Sequence, residues 1–175
     1  MERLKVFMNE LGGEMIIKPL DGCGGSGVFY LNQSDRNTNS ILEAATDNGR
    51  RLIMGQRYLP EIRQGDKRII MLNGEPLGAV LRVPLETETR GNIHVGGQCV
   101  KTEVTARDRD ICAALAPLLV ADGLYLVGLD VIGGFLTEVN VTSPTGIQEI
   151  NALDGVRLET QVIDFVERQV EETHG

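Results

Sequence analysis

Leu4, Phe7, Met8 and Leu11 recur at helical spacing until Gly12-Gly13 breaks the run, which predicts an opening amphipathic helix. Met15 to Lys18 and Val28 to Leu31 are short apolar runs on either side of a glycine cluster, and each reads as a strand. Ser40 is placed to cap a helix carrying Ile41, Leu42 and Ala45, and Leu52 to Tyr58 returns as a strand. Lys67 to Leu72 and Leu77 to Val83 flank Asn73-Gly74, a dipeptide that tight hairpins favour. Thr105 with Asp108 three residues on is a capping pattern, so a helix is expected from there to about Asp122. Tyr125 to Ile132 and Phe135 to Val141 predict a last hairpin, and Leu158, Val162, Val166 and Val170 an amphipathic closing helix. Strands and helices mix without regular β–α–β alternation. The expected class is α+β with mostly antiparallel strands, not a doubly wound sheet.

With 175 residues the chain can build one sizeable domain or two small lobes, and Leu59-Pro60 is a plausible boundary between residues 1–57 and 58–175. Its 17 basic and 25 acidic side chains leave a charge of −8, which makes nucleic acid and anionic membranes poor partners. Aromatics are 4% with no Trp, which weakens base stacking further. No apolar run approaches the roughly 20 residues of a membrane span, and Met1-Glu2-Arg3-Leu4-Lys5 lacks a signal-peptide layout, so a cytoplasmic protein is expected. Small molecules are the expected partners, and self-association stays open. Cys23, Cys99 and Cys112 are odd in number, widely spaced and without CxxC, as befits reduced structural thiols. Glycine is the informative excess: 21 residues, well above the usual share of roughly 7%, and clustered.

Gly22-Cys23-Gly24-Gly25-Ser26-Gly27 satisfies G-x-G-x-x-G, yet the strand-like Val28-Phe29-Tyr30-Leu31 follows where a dinucleotide fold needs a helix. There is no GK[ST] either. Strand, glycine loop, strand is a layout that can fold over nucleotide phosphates, because bare backbone N–H groups approach oxygens that a Cβ would hold away. Lys18 could add a positive charge. A glycine-rich surface turn beside an exposed lysine is the alternative.

Glu138 and Asn140 lie two apart on one strand and share a face, with Asp130 on the partner strand. Three oxygen donors among apolar neighbours suit Mg²⁺. A strict two-residue turn at Gly133-Gly134 would pair Asp130 with Thr137 and aim Asp130 at the opposite face. The metal reading therefore requires a bulge or a longer loop. An exposed acidic face on an amphipathic hairpin is the alternative. Arg63, Lys67, Arg68, Arg82 and Arg90 concentrate mid-chain and could face that hairpin to neutralise a phosphoryl group and a carboxylate. Residues 84–97, polar with Gly91, Gly96 and Gly97, read as a loop that could close over substrate.

Together these segments resemble bacterial glutathione synthetases of the ATP-grasp superfamily. The matching strings include Ile17-Lys18-Pro19-Leu20-Asp21-Gly22, Tyr58-Leu59-Pro60, Gly65-Asp66-Lys67-Arg68, Glu88-Thr89-Arg90-Gly91-Asn92 and Val127-Gly128-Leu129-Asp130. The most specific is Thr137-Glu138-Val139-Asn140-Val141-Thr142-Ser143-Pro144-Thr145. The resemblance implies two α+β lobes gripping ATP, a small one at 1–57 with the glycine flap and a large one at 58–175 with the metal and substrate site. It implies ATP-dependent joining of γ-glutamylcysteine and glycine into glutathione through an acyl phosphate. By position, Lys18 and residues 22–27 would meet ATP phosphates. Gln56, Arg57, Tyr58 and Leu59 would line the adenine pocket, and Asp66 would meet the ribose. Asp130, Glu138 and Asn140 would hold two Mg²⁺ ions. Arg68, Arg82, Arg90 and Asn92 would face phosphate or peptide carboxylate, and Val141, Thr142 and Ser143 would shape the peptide site. The family's chain begins with a further substrate-binding domain, so this chain reads as its ATP-grasp part, inactive alone. Another ATP-grasp amino-acid ligase, such as a glutamate ligase, and a noncatalytic nucleotide-binding module are the alternatives.

Overall fold

The computed structural model describes residues 1–22, 24–85 and 97–174. Helix α1 (Glu2–Glu10) leads into strand β1 (Glu14–Pro19), then β2 (Phe29–Asn32), α2 (Thr38–Ala45) and β3 (Ile53–Gln56). β1 is central and antiparallel to both neighbours, giving the order β2-β1-β3. Alternation along β1 sends Met15 and Ile17 into a core with Met8, Leu31 and Leu42, while Ile16 and Lys18 point the other way.

A 3₁₀ turn (Pro60–Gln64) separates these strands from β4 (Asp66–Leu72), β5 (Glu75–Val83), β6 (Gln98–Lys101), β7 (Leu126–Ile132) and β8 (Phe135–Asn140). The five pair antiparallel in the order β6-β5-β4-β7-β8. Helix α3 (Ala106–Ala121) packs Ile111, Cys112 and Leu119 onto one face, against Ile69, Met71, Val127 and Leu129. On the other face Ile70 and Val80 meet Ile150 of α4 (Ile147–Asp154) and Leu158 of α5 (Leu158–His174). α4 and α5 leave uncovered the half of that face on which the polar side chains stand.

Several expectations shift in detail. The second helix begins at Thr38, so Ser40 lies inside it and caps nothing. The turn ahead of it already supplies the ends: Asp35 Oδ1 accepts from Asn37 N at 2.8 Å, and Thr38 Oγ1 donates to Asn32 O at 2.8 Å. The helix expected from Thr105 and Asp108 starts there, and the two residues form a capping box. The closing helix buries Leu158 and Phe165 but leaves Val166 and Val170 exposed, so its buried stripe is not the one the valine spacing suggested. Strand β6 and helix α4 go beyond the elements expected from the sequence. Cys99 and Cys112 are free thiols, and burial pushes the Cys112 thiol up to about 11. Cys23 lies outside the described residues.

Candidate functional site

Between the two sheets lies a cleft of about 480 Å³, within the range of small-molecule sites. Ile16 and Lys18 of β1, Gln56 at the end of β3 and Gly22, Gly24, Gly25 and Ser26 of the β1–β2 loop form one wall. Strand, loop and antiparallel strand follow one another there with no helix after the glycines, as the sequence required. Gly24, Gly25 and Gly27 have φ of 64°, 79° and 72°, a left-handed region where side chains are strained. A Cβ on Gly22 would meet Pro19 Cγ at 2.7 Å, so the loop can fold back over its strand only without one.

The opposite wall is the uncovered sheet face. Antiparallel registers put Arg82 beside Asp66, Arg68 beside Asp130, and Asp130 beside Glu138, all on that face. Asn140 joins them opposite Gly128. The required bulge is present: Val131 pairs with Leu136, Asp130 pairs with Glu138, and Thr137 is skipped. Asp130 and Glu138 therefore share a face despite the Gly133-Gly134 turn.

Arg68 Nε and Nη2 donate to the two Asp130 carboxylate oxygens at 2.5 and 2.9 Å, and its Nη1 donates to Thr145 O at 3.0 Å. Arg82 Nη2 donates to Asp66 Oδ2 at 2.5 Å and lies 3.0 Å from Asp130 Oδ1. Burial alone would raise the Asp130 pKa, but Arg68 and Arg82 outweigh it and hold this carboxyl below its usual range. For Asp66, burial and then the Asp130 charge outweigh Arg82 and Arg68, and its carboxyl is pushed up to about 6. The Glu138 carboxyl is raised by burial and then by Asp130. Among the described residues, Asp66 Oδ1 and Arg82 Nε are buried without a hydrogen-bond partner.

No group of three His, Cys, Asp or Glu gathers among the described residues. The set here is two carboxylates and an amide, an all-oxygen donor set suited to a hard divalent cation. Glu138, whose ionised form burial and the Asp130 charge disfavour, would be relieved by a cation bound between the two carboxylates. These residues fit Mg²⁺.

The remaining site candidates divide. Arg57, Tyr58 and Leu59 line the cleft, as do Asp66, Thr142 and Ser143, whereas Gly27 and Val141 are not among its lining residues. Tyr58 packs against Tyr30 with ring centroids 4.6 Å apart. Lys67, expected to face the hairpin, sits on the other face of β4, where its Nζ meets Asp108 Oδ2 at 2.7 Å. It is adjacent to Arg68 in a strand and so points oppositely. Arg90 and Asn92 lie outside the described residues, as does nearly all of the predicted 84–97 loop. Sequence reasoning missed Thr137, Thr145 and Glu149 as cleft residues. Thr145 belongs to the quoted Ser-Pro-Thr string, but Glu149 is visible only once α4 is known.

The family model described as the prokaryotic glutathione synthetase ATP-grasp domain matches residues 1–155. A glutathione synthetase of Gloeobacter violaceus is 59% identical over 157 residues, covering 90% of this chain and 48% of that protein. One from Synechocystis sp. is 54% identical over 166 residues, covering 95% and 52%. The chain spans about half the length of these relatives. Among solved structures, the ATP-grasp ligase PsnB complexed with a minimal precursor, Mg and ADP aligns with TM-score 0.67 at 16% identity, covering 97% of this chain and 50% of that one. A Bacillus anthracis D-alanine–D-alanine ligase complexed with ATP aligns at 0.59 and 15%, covering 96% and 57%. The α+β fold of two antiparallel sheets flanking a cleft is the ATP-grasp fold, and the chain belongs to the prokaryotic glutathione synthetase ATP-grasp family.

Proposed function

We propose that the complete protein carrying this chain is an ATP-dependent ligase that joins γ-glutamylcysteine and glycine to form glutathione. Two observations at different levels support it: relatives above 50% identity carry that name, and the Asp130–Glu138 register puts three oxygen donors opposite a glycine hairpin in one cleft. The second observation carries the chemistry. A carboxylate becomes an acyl donor only when one of its oxygens is made a leaving group. Transfer of the γ-phosphoryl group to the peptide carboxylate forms an acyl phosphate and ADP. The uncharged amine of glycine then attacks the acyl carbon, the C–O bond to phosphate breaks, and the amine proton is lost to solvent. Such a reaction needs positioning and charge neutralisation rather than a protein nucleophile.

In this reading residues 1–57 and 58–175 act as two lobes. Lys18 and the 22–27 loop hold the phosphates, and Gln56 to Leu59 hold adenine. Asp66 meets the ribose, and Arg82 faces a phosphate or carboxylate oxygen. Arg68, Arg90 and Asn92 assist at the carboxylate, and Val141 to Ser143 shape the peptide site. Asp130, Glu138 and Asn140 hold two Mg²⁺ ions, which supply charge neutralisation at the transferring phosphoryl group. No helix of the described residues is long and apolar enough to cross a membrane.

A phosphate-release assay on the complete protein tests this. Release should require ATP, Mg²⁺, γ-glutamylcysteine and glycine together. Release driven by glutamate or another amine, with glycine inert, would assign the protein to a different ATP-grasp ligase.

A further inference from the structure

The β7–β8 ladder passes over Thr137, and the side chain and backbone of this residue are both engaged. Its Oγ1 donates to Asp130 O at 3.1 Å, closing the bulge across the two strands. Its carbonyl oxygen accepts from Lys18 Nζ at 3.4 Å and from Gln56 Nε2 at 3.2 Å, one donor from β1 and one from the end of β3. Thr137 is half-buried and lines the cleft.

The bulge decides where the donors go. Without it Thr137 would stand opposite Asp130, and Glu138 and Asn140 would turn toward α3, because a slip of one residue inverts every side chain. A bulge also redirects the local peptide groups out of the ladder. The freed Thr137 carbonyl is the acceptor that the two donors from the other sheet reach. Each carries a proposed nucleotide contact, Lys18 for phosphate and Gln56 for adenine.

We infer, resting on the ligase reading above, that Thr137 is a positioning residue for the reaction. Its hydroxyl secures the register that gathers Asp130, Glu138 and Asn140, and its carbonyl sets Lys18 and Gln56 over them. One out-of-register residue thereby aligns the cation-holding hairpin with the nucleotide-holding sheet.

Two variants of the complete protein separate hydroxyl from side-chain shape, and Mn²⁺ serves as a spin probe for the cation. Groups that orient metal ligands typically change affinity by roughly 10- to 100-fold. Thr137→Val should weaken Mn²⁺ binding, read by electron paramagnetic resonance in the presence of ADP, by about 10-fold. Thr137→Ser should restore it to within about 3-fold, a bound set by the retained hydroxyl. Wild-type Mn²⁺ affinity in Thr137→Val, or equal weakening in both variants, overturns the role of the hydroxyl. Deleting Thr137 lets Glu138 follow Leu136 and pair with Asp130 without a bulge, while removing the carbonyl. Mn²⁺ affinity should then survive while KM for ATP rises several-fold. Loss of both, or of neither, overturns the carbonyl's role. If wild-type protein makes no glutathione yet Mn²⁺ affinities follow this order, Thr137 keeps its role and only the substrate assignment falls.

Discussion

Asp130 and Asp66 stand a few ångströms apart around one arginine, yet their carboxyls move in opposite directions. Asp130 takes both oxygens of its charge to Arg68 and shares Arg82, so ionisation persists despite burial. Asp66 hydrogen-bonds only to Arg82, feels Arg68 through its charge alone, and has its other oxygen unpartnered among the described residues. Its folded pKa, about 6 against a usual 3.8, lies above the unfolded value, so its contribution favours folding most below pH 3.8 and is lost as pH rises through about 6. Asp66→Asn in metal-free buffer should therefore gain stability relative to wild type across that window. The limit is about 3 kcal/mol, at 1.36 kcal/mol per pKa unit. Urea midpoints at pH 4 and pH 7 measure it, and a gap that does not change with pH would contradict the assignment. Glu138 behaves differently, because burial and the Asp130 charge already disfavour its ionised form. Glu138→Gln relieves that repulsion while deleting a cation donor. Turnover of the complete protein should fall by about 10²-fold or more while Tm holds or rises, and comparable losses of both would count against a cation role.

Among the elements, the β7–β8 hairpin makes the most stringent demands on its residues. Arg68 reaches Asp130 by lying across Gly128, where a Cβ would come within 3.2 Å of Arg68 Cδ and 2.9 Å of Pro144 Cβ. The backbone there is strand-like, so the requirement is space and not a left-handed φ. Gly128→Ala should cost about 1–3 kcal/mol of stability, as overpacking usually does. It should also displace the Arg68 guanidinium, and a urea midpoint with a crystal structure of the variant checks both. On the far side of the same sheet, Lys67 and the Thr105–Asp108 capping box share one carboxylate. Asp108 Oδ2 accepts from Lys67 Nζ at 2.7 Å and from Thr105 N at 2.9 Å. That pairing ties the start of α3 to β4 and explains why a lysine beside Arg68 has no place in the cleft.

Over the whole molecule, two sheets with separate cores meet across a cleft lined by charged and polar groups from both. The β1–β2 loop contributes the glycines, and strands from 66 onward contribute the carboxylates and arginines. A ligand held by both should couple them. If Mg·ADP binds the folded chain and not the unfolded one, a concentration of about 100 Kd stabilises by about 2.7 kcal/mol. A thermal-shift titration with Mg·ADP, Mg²⁺ alone and ADP alone should show the largest rise for the first. Equal shifts with and without Mg²⁺ would separate the nucleotide from the carboxylate cluster. Within this acidic chain Lys18, Arg68 and Arg82 nevertheless converge on the cleft, where Arg68 and Arg82 pair with Asp130 and Asp66.

Patterns that depend on neighbours in the chain were legible in residue order alone. Helical spacing marked α1, the Asn73-Gly74 pair marked the β4–β5 turn, and Thr105 with Asp108 marked the start of α3, because caps and tight turns are local chemistry. The candidate donors Asp130, Glu138 and Asn140 were likewise nameable, as was their need for a bulge, since side-chain alternation is a property of a single strand. Their shared face was not settled there, because register is a contest between two strands and the turn that joins them. Tertiary structure decided that Thr137 leaves the ladder and that Lys67 turns away from Arg68's partners. It also decided that Arg82 stands between Asp66 and Asp130, and that Val166 and Val170 remain outside the core. Each outcome depends on what lies across from a residue, and no local spacing encodes that.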